Sequence, residues 1–231
     1  MTSNKIEEMF DKVSDDLDKD RNEIVFYSGS PDPDFLIISE APTEKKNSKD
    51  TLFNDIKEKF EDPENDEIFD FLRKYPFEEE PKIKEEKTTR NTLYTQFVEK
   101  ILYFLDEEEK REKIGFTDVC KEPLEEDDQK FSDESVISEL MEIIDKQIKF
   151  AQPDIIICNK KNVSKRIYKK YNPNNETTDP YDLEFKKLPT KMETEIKGKN
   201  TTVFFSSMIH SYLDNFNKKR ISNCLKEEYN Q

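Results

Sequence analysis

Four short apolar runs constrain this chain more than any other feature: residues 35–39 (FLIIS), 114–120 (IGFTDVC), 154–158 (DIIIC) and 202–206 (TVFFS). Each is continuous rather than alternating, the pattern of strands buried on both faces of a parallel sheet. Charged segments with helical periodicity lie between and beside them, at 91–110, 134–150 and 162–171. Strands that alternate with helices call for right-handed crossovers and a layered architecture. The expected fold class is α/β, a three-layer α/β/α sandwich with a central four-stranded, mainly parallel sheet. Around that frame the sequence predicts an N-terminal helix at 4–20, a short edge strand at 23–27, helices near 52–60 and 67–73, an exposed charged loop at 78–87 and a closing helix at 215–228. Residues 172–199, rich in Pro, Asn and Thr, read as irregular. The whole chain reads as one domain, 1–231, with 1–33 as N-terminal helix and turn, 34–220 as the core and 221–231 as the end of the C-terminal helix.

Composition tests whether such a core can exist. With 38 basic against 53 acidic residues the net charge is -15, and only 33% of residues are hydrophobic, which leans toward disorder. Seventeen Phe and nine Tyr argue the other way, because they lie in compact runs between charged helices. A folded core under a highly charged surface follows. Net acidity weighs against indiscriminate binding to polyphosphates, so nucleic-acid contact needs a local basic patch. One exists: residues 159–170 read NKKNVSKRIYKK, with six cations and no acid, and Lys218, Lys219 and Arg220 lie further on. The three cysteines are far apart and there is one histidine, so neither a metal site nor a disulfide framework is expected, and no cofactor. Without an apolar signal core or a membrane-length stretch, the expected location is the cytoplasm and the expected state a monomer. The acidic loops of 44–90 offer a surface for a protein partner.

Ligands of open parallel sheets bind past the carboxyl ends of the strands. That rule selects Glu40, Ala41, Pro42 and Thr43; Thr117, Asp118 and Lys121; Asn159 and Lys160; and His210 and Ser211. Taken in order, these loops resemble the uracil-DNA glycosylase superfamily, nearest the branch whose first motif is a hydrophobic strand followed by G-E-A-P-G. The matches are Ser39-Glu40-Ala41-Pro42-Thr43, Thr117-Asp118-Val119-Cys120-Lys121 for T-N-x-x-K, Gln147-Ile148 through Pro153-Asp154 for Q-I-x-x-x-x-P-D, and Ile209-His210-Ser211 for the H-P-S loop. Together they span roughly 34–220. Ser39 and Thr43 stand where that branch has glycines, Asn159 where Gly is usual, and the four iron–sulfur cysteines are absent, so the resemblance implies a divergent, clusterless member.

The resemblance implies that Glu40 and His210 are catalytic. Glu40 would orient water and stabilise the cationic sugar, and His210 would donate a hydrogen bond to the oxygen of the departing base. Ala41, Pro42, Phe53 and Asp118 would line the base pocket. Lys160, Lys161, Lys165, Arg166, Ser211, Tyr212, Leu213 and Lys218 would contact DNA, with Tyr212 or Leu213 as an apolar wedge. Each residue also has a plainer reading. Glu40 suits a helix start, His210 a satisfied lone histidine, Phe53 ordinary core and Asp118 a turn cap, while the basic run suits a solvated helix face above Val163 and Ile167. Asp118 carries the sharpest chemistry, since an ionised carboxylate accepts from the N3–H of uracil but opposes its O4. The expected function is excision of uracil or a related deaminated base by water-mediated hydrolysis. The alternative is a non-catalytic nucleic-acid or partner-binding module on the same fold. A nucleotide-handling enzyme of another α/β class is disfavoured by the lack of a glycine-rich phosphate loop.

Overall fold

The structure, a computed structural model, describes residues 5–24, 27–39, 67–74, 98, 101–119, 134–159, 161–172, 190–206 and 215–231. The elements in chain order are α1 (Lys5–Leu17), β1 (Tyr27–Gly29), β2 (Phe35–Ser39), α2 (Glu67–Lys74), α3 (Glu107–Lys113), β3 (Ile114–Asp118), α4 (Glu134–Ala151), β4 (Ile155–Asn159), α5 (Lys161–Tyr171), β5 (Thr190–Ile196), β6 (Lys199–Ser206) and α6 (Asn215–Tyr229). The fold is α/β with a mixed six-stranded sheet in the order β1-β3-β2-β4-β6-β5. The four apolar runs form its centre, with β3, β2, β4 and β6 mutually parallel. The flanking edges, β1 and β5, are antiparallel.

Strict alternation of side chains divides the core into two layers. Leu36, Ile38, Ile156, Cys158, Val203 and Phe205 face α1, α2, α4 and α5 on one side. Phe35, Ile37, Ile114, Ile155, Ile157 and Phe204 face α6 and the 98–105 segment on the other. Both faces of the central strands are thus buried, which is why their sequence is apolar without alternation. The crossovers account for part of the distribution; α2, in the same connection as the 98–105 segment, lies on the face of α4 and α5. The chain passes from β2 to β3 in one direction and from β3 through β4 to β6 in the other. Right-handed connections then put α4 and α5 on one face and the 98–105 segment on the opposite face.

Three expectations need correction. The irregular reading of 172–199 misses β5, whose residues alternate between exposed Lys191, Glu193 and Glu195 and more buried Met192, Thr194 and Ile196. It joins β6 through Lys197 and Gly198, both at positive φ (50° and 83°), the geometry of a two-residue hairpin turn. The helix expected across 91–110 does not extend through the described part of that range, because 101–106 is a turn. A helix starts instead at Glu107, where the Asp106 carboxylate accepts from the Glu109 amide (2.8 Å) and Glu109 accepts from the Asp106 amide (3.0 Å). That reciprocal cap sets the boundary. The expected strand at 23–27 is displaced, since a 3-10 turn occupies Arg21–Glu23 and the edge strand begins at Tyr27. The helix expected near 52–60 and the loop at 78–87 lie outside the described residues.

The displaced strand is held by a tight contact. Gly29 pairs with Gly115 across β1 and β3, and the fully buried Tyr27 covers Gly115 while its hydroxyl donates to the Ser30 carbonyl (2.7 Å). A Cβ on Gly115 would stand 2.3 Å from that hydroxyl, and one on Gly29 would stand 2.4 Å from the Ile114 carbonyl oxygen. Among the described helices none is long and apolar enough to cross a membrane.

Candidate functional site

The carboxyl ends of the four parallel strands finish level with one another. Ser39 pairs with Asp118, Ile38 with Cys158, and Asn159 with Ser206, so the row reads Asp118, Ser39, Asn159, Ser206 across β3, β2, β4 and β6. Because β2 sends the chain one way and β4 the other, the switch point lies between Ser39 and Asn159, where ligands of open α/β sheets bind.

Side-chain direction adds information that register alone lacks. Asp118, Ser39 and Asn159 continue the phase of Phe116, Ile37 and Ile157, and therefore point to the face covered by α6. The apolar layer on that face ends in a polar row at the carboxyl edge. Ser39 and Asn159 are 6% and 1% exposed, while Asp118 is half-buried. Buried polar groups are costly unless hydrogen-bonded, and this row concentrates them at the switch point.

The opposite face fixes the end of β3. Thr117, immediately before Asp118, donates through Oγ1 to Oε1 of Gln147 on α4 (2.8 Å), and both side chains are buried. The ladder also continues beyond the strand, with the Val119 amide donating to the Ser39 carbonyl (2.9 Å). Asp118 is thus held between two backbone-fixed neighbours. On the same side, burial pushes the Cys158 thiol well above its ordinary range, which leaves it a neutral core group rather than a nucleophile.

Of the residues expected to act, Asp118 stands in the row. Glu40, Ala41, Pro42, Phe53, Lys160, His210, Ser211, Tyr212 and Leu213 lie outside the described residues. Lys161 opens α5, whose first turn carries no acid. Lys165 and Arg166 are half-buried on that helix, above Val163 and Ile167, which are fully buried. Lys218, expected to reach phosphate, is only 5% exposed, which weighs against a place on an open DNA-facing surface; Lys219 beside it is exposed. Among the described residues no group of three or more His, Cys, Asp or Glu side chains is arranged to hold a metal ion.

Sequence reasoning placed Asn159 at a strand end and treated Ser39 as a departure from glycine, and missed that both share one face with Asp118. Period-two alternation from Phe35 and Ile155 was the available signal. It likewise missed the inward turn of Lys218, although Lys218 lies seven residues before Leu225 and so shares its helical phase. Comparison with known protein families and with curated proteins finds no match. The functional reading rests on residues and geometry.

Proposed function

We propose that this protein is a uracil-DNA glycosylase-like enzyme that excises uracil or a related deaminated base from DNA by water-mediated hydrolysis of the N-glycosidic bond. The observation that carries the reading is the level row of strand ends. The motif at 39–43 begins on the last residue of β2, that at 117–121 begins within β3, that at 147–154 leads into β4 and that at 209–211 comes after β6 in the chain; these strands are parallel and adjacent, with Ser39 beside Asp118 and Asn159 beside Ser206. In the sequence, Glu40 is the next residue after Ser39 and His210 the fourth after Ser206. The finer fold assignment, a three-layer sandwich of that superfamily, belongs to the same proposal.

In this reading the base is rotated out of the DNA stack and held at the switch point. Glu40 orients the attacking water and stabilises the cationic sugar, while His210 donates to the oxygen on which charge collects. Lys161, Lys165 and Arg166 on the acid-free opening turns of α5 contact phosphate, aided by the positive end of the helix dipole.

Purified protein incubated with a uracil-containing oligonucleotide is expected to release free uracil. Glu40→Ala and His210→Ala are each expected to slow release by about 10²-fold or more, the scale of general acid–base and electrostatic contributions. Absence of release from uracil, hypoxanthine, xanthine and ethenocytosine substrates by folded protein would overturn the reading.

A further inference from the structure

We propose that the outer edge of β5 is a self-complementary docking surface, on which a second copy of this chain adds its own β5 antiparallel and extends the sheet across a two-fold axis. β5 ends the strand order, and Thr190–Ile196 pair with β6 in an unbroken register without a bulge or a proline. Among the described residues no strand lies beyond it. Such an edge offers its backbone groups to another strand.

The hydrogen-bond phase of the hairpin fixes which groups are offered. The Thr202 amide donates to the Asp154 carbonyl (2.9 Å), toward β4, so Thr202 turns its backbone groups away from β5. Glu193, opposite Thr202, therefore sits in a non-hydrogen-bonded pair and turns its own N–H and C=O to the outer edge. Alternation gives Lys191 and Glu195 the same direction. The Ile196–Lys199 pair that closes the two-residue turn sets the same phase from the other end. The residues that present backbone to a partner are thus the three exposed charged ones, while Met192 and Ile196 pack on the core.

Charge then selects one register. In an antiparallel pair of β5 strands, outward residues meet only outward residues, so the two-fold axis falls on a residue. Centred on Lys191, Glu193 or Glu195, a charge faces its own copy; centred on Thr194, Glu193 faces Glu195 twice. Centred on Met192, Lys191 of each copy faces Glu193 of the other, Met192 faces Met192, and Glu195 meets no acid of the opposite β5. Opposite charges across strands stabilise pairing and like charges oppose it, which favours this register over the other four. Lys191 already holds Glu228 (2.6 Å), but an ammonium has three donors, so Glu193 of the other copy joins that ion pair rather than displacing Glu228.

Each copy carries a net charge of -15, whose repulsion is screened beyond about 8 Å at about 0.15 M ionic strength, so the edge is tested in that salt. One shared strand edge is a small interface, and a weak dimer in place of the expected monomer follows. Sedimentation equilibrium of the full chain from about 10 μM to about 1 mM is expected to show the average mass rising with concentration toward that of a dimer. Glu193→Pro removes an outward N–H but no bond to β6, and is expected to weaken association about tenfold or more with a near-native urea midpoint. Glu193→Lys sets lysine against Lys191 and is expected to weaken association by a similar factor. Glu195→Lys makes the same change in net charge and is expected to stay within about threefold of native. If Glu193→Pro does not fold, the two charge reversals decide the matter alone. A chain that stays monomeric over this range, native association in either Glu193 variant, or equal loss in Glu193→Lys and Glu195→Lys overturns the proposal.

Discussion

The two ends of the central sheet differ in kind. At the amino end, described side chains tie the layers together. The Tyr229 hydroxyl donates to Asp34 (3.0 Å) and accepts from Lys113 (2.6 Å), and Phe35, Phe104 and Tyr229 form an aromatic group. Glu228 accepts from both Thr202 (2.7 Å) and Lys191 (2.6 Å), and Lys199 bridges Asp154 (2.8 Å) and the Gln152 carbonyl (2.7 Å). At the carboxyl end, the described polar groups form a row at a topological switch point. The amino end secures the fold, and the proposed function assigns recognition to the carboxyl end. A sheet that separates the two can vary its loops without loosening its frame.

The largest disturbance of this division is expected at the β1–β3 contact, toward the amino end of β3. Gly115→Val forces a side chain into the space of the Tyr27 hydroxyl, which Cβ alone would approach to 2.3 Å. Overpacking of this kind costs about 1–3 kcal/mol, and the upper end is expected because Tyr27 is fully buried. Urea denaturation measures it. The rate of base release per folded molecule is expected to stay within about threefold of native, given that distant sites act nearly independently.

Alkaline pH probes the frame more gently. Burial raises the pKa of Tyr27 and Cys158, and burial together with the neighbouring Asp145 carboxylate, which accepts from its hydroxyl, raises that of Tyr171. Groups of this sign contribute stability that is complete below their unfolded pKa values, about 8.5 for Cys and 10 for Tyr, and is lost as pH rises from there toward the folded values. Each group steepens the loss by about 1.4 kcal/mol per pH unit above its unfolded pKa. Tyr171→Phe is expected to lower stability at pH 8 but flatten its decline between pH 10 and 11, as read from urea midpoints. An unchanged slope would show that Tyr171 ionises as freely in the folded chain as in the unfolded one.

How much of this was legible in the sequence depends on which signal dominates each segment. The runs of β2, β3, β4 and β6 were visible because strands covered on both sides have no reason to alternate. β5 was hidden by its own edge position, where Lys191, Glu193 and Glu195 face solvent and give the segment a polar look. Alternation and the Lys197-Gly198 turn were its only marks. The helix at Glu107 was hidden by the apolar residues before it: Ile101, Leu102 and Leu105 suggest helical continuity but pack on the sheet from a turn. In the candidate site, Asp118 was legible as the end of a run, but its neighbours were not. Pairing between strands distant in sequence is needed to place Ser39 and Asn159 beside it, and the phase of α6 is needed to turn Lys218 inward. A Lys-Lys-Arg triplet by itself reads as solvated.

The smallest expected stability effects make the cleanest contrast between the two ends. Tyr229→Phe removes one hydrogen-bonding hydroxyl from the amino end and is expected to cost about 1 kcal/mol. Asp118→Ala, at the half-buried end of β3, is expected to cost less than that. Base release should respond in the opposite order, and measuring uracil release and the urea midpoint on these two variants side by side tests the central claim most directly. The expected result is a loss of release by about tenfold or more in Asp118→Ala with a near-native midpoint, against native release and a lowered midpoint in Tyr229→Phe. Native release from Asp118→Ala would contradict the assignment of recognition to the carboxyl end of the sheet.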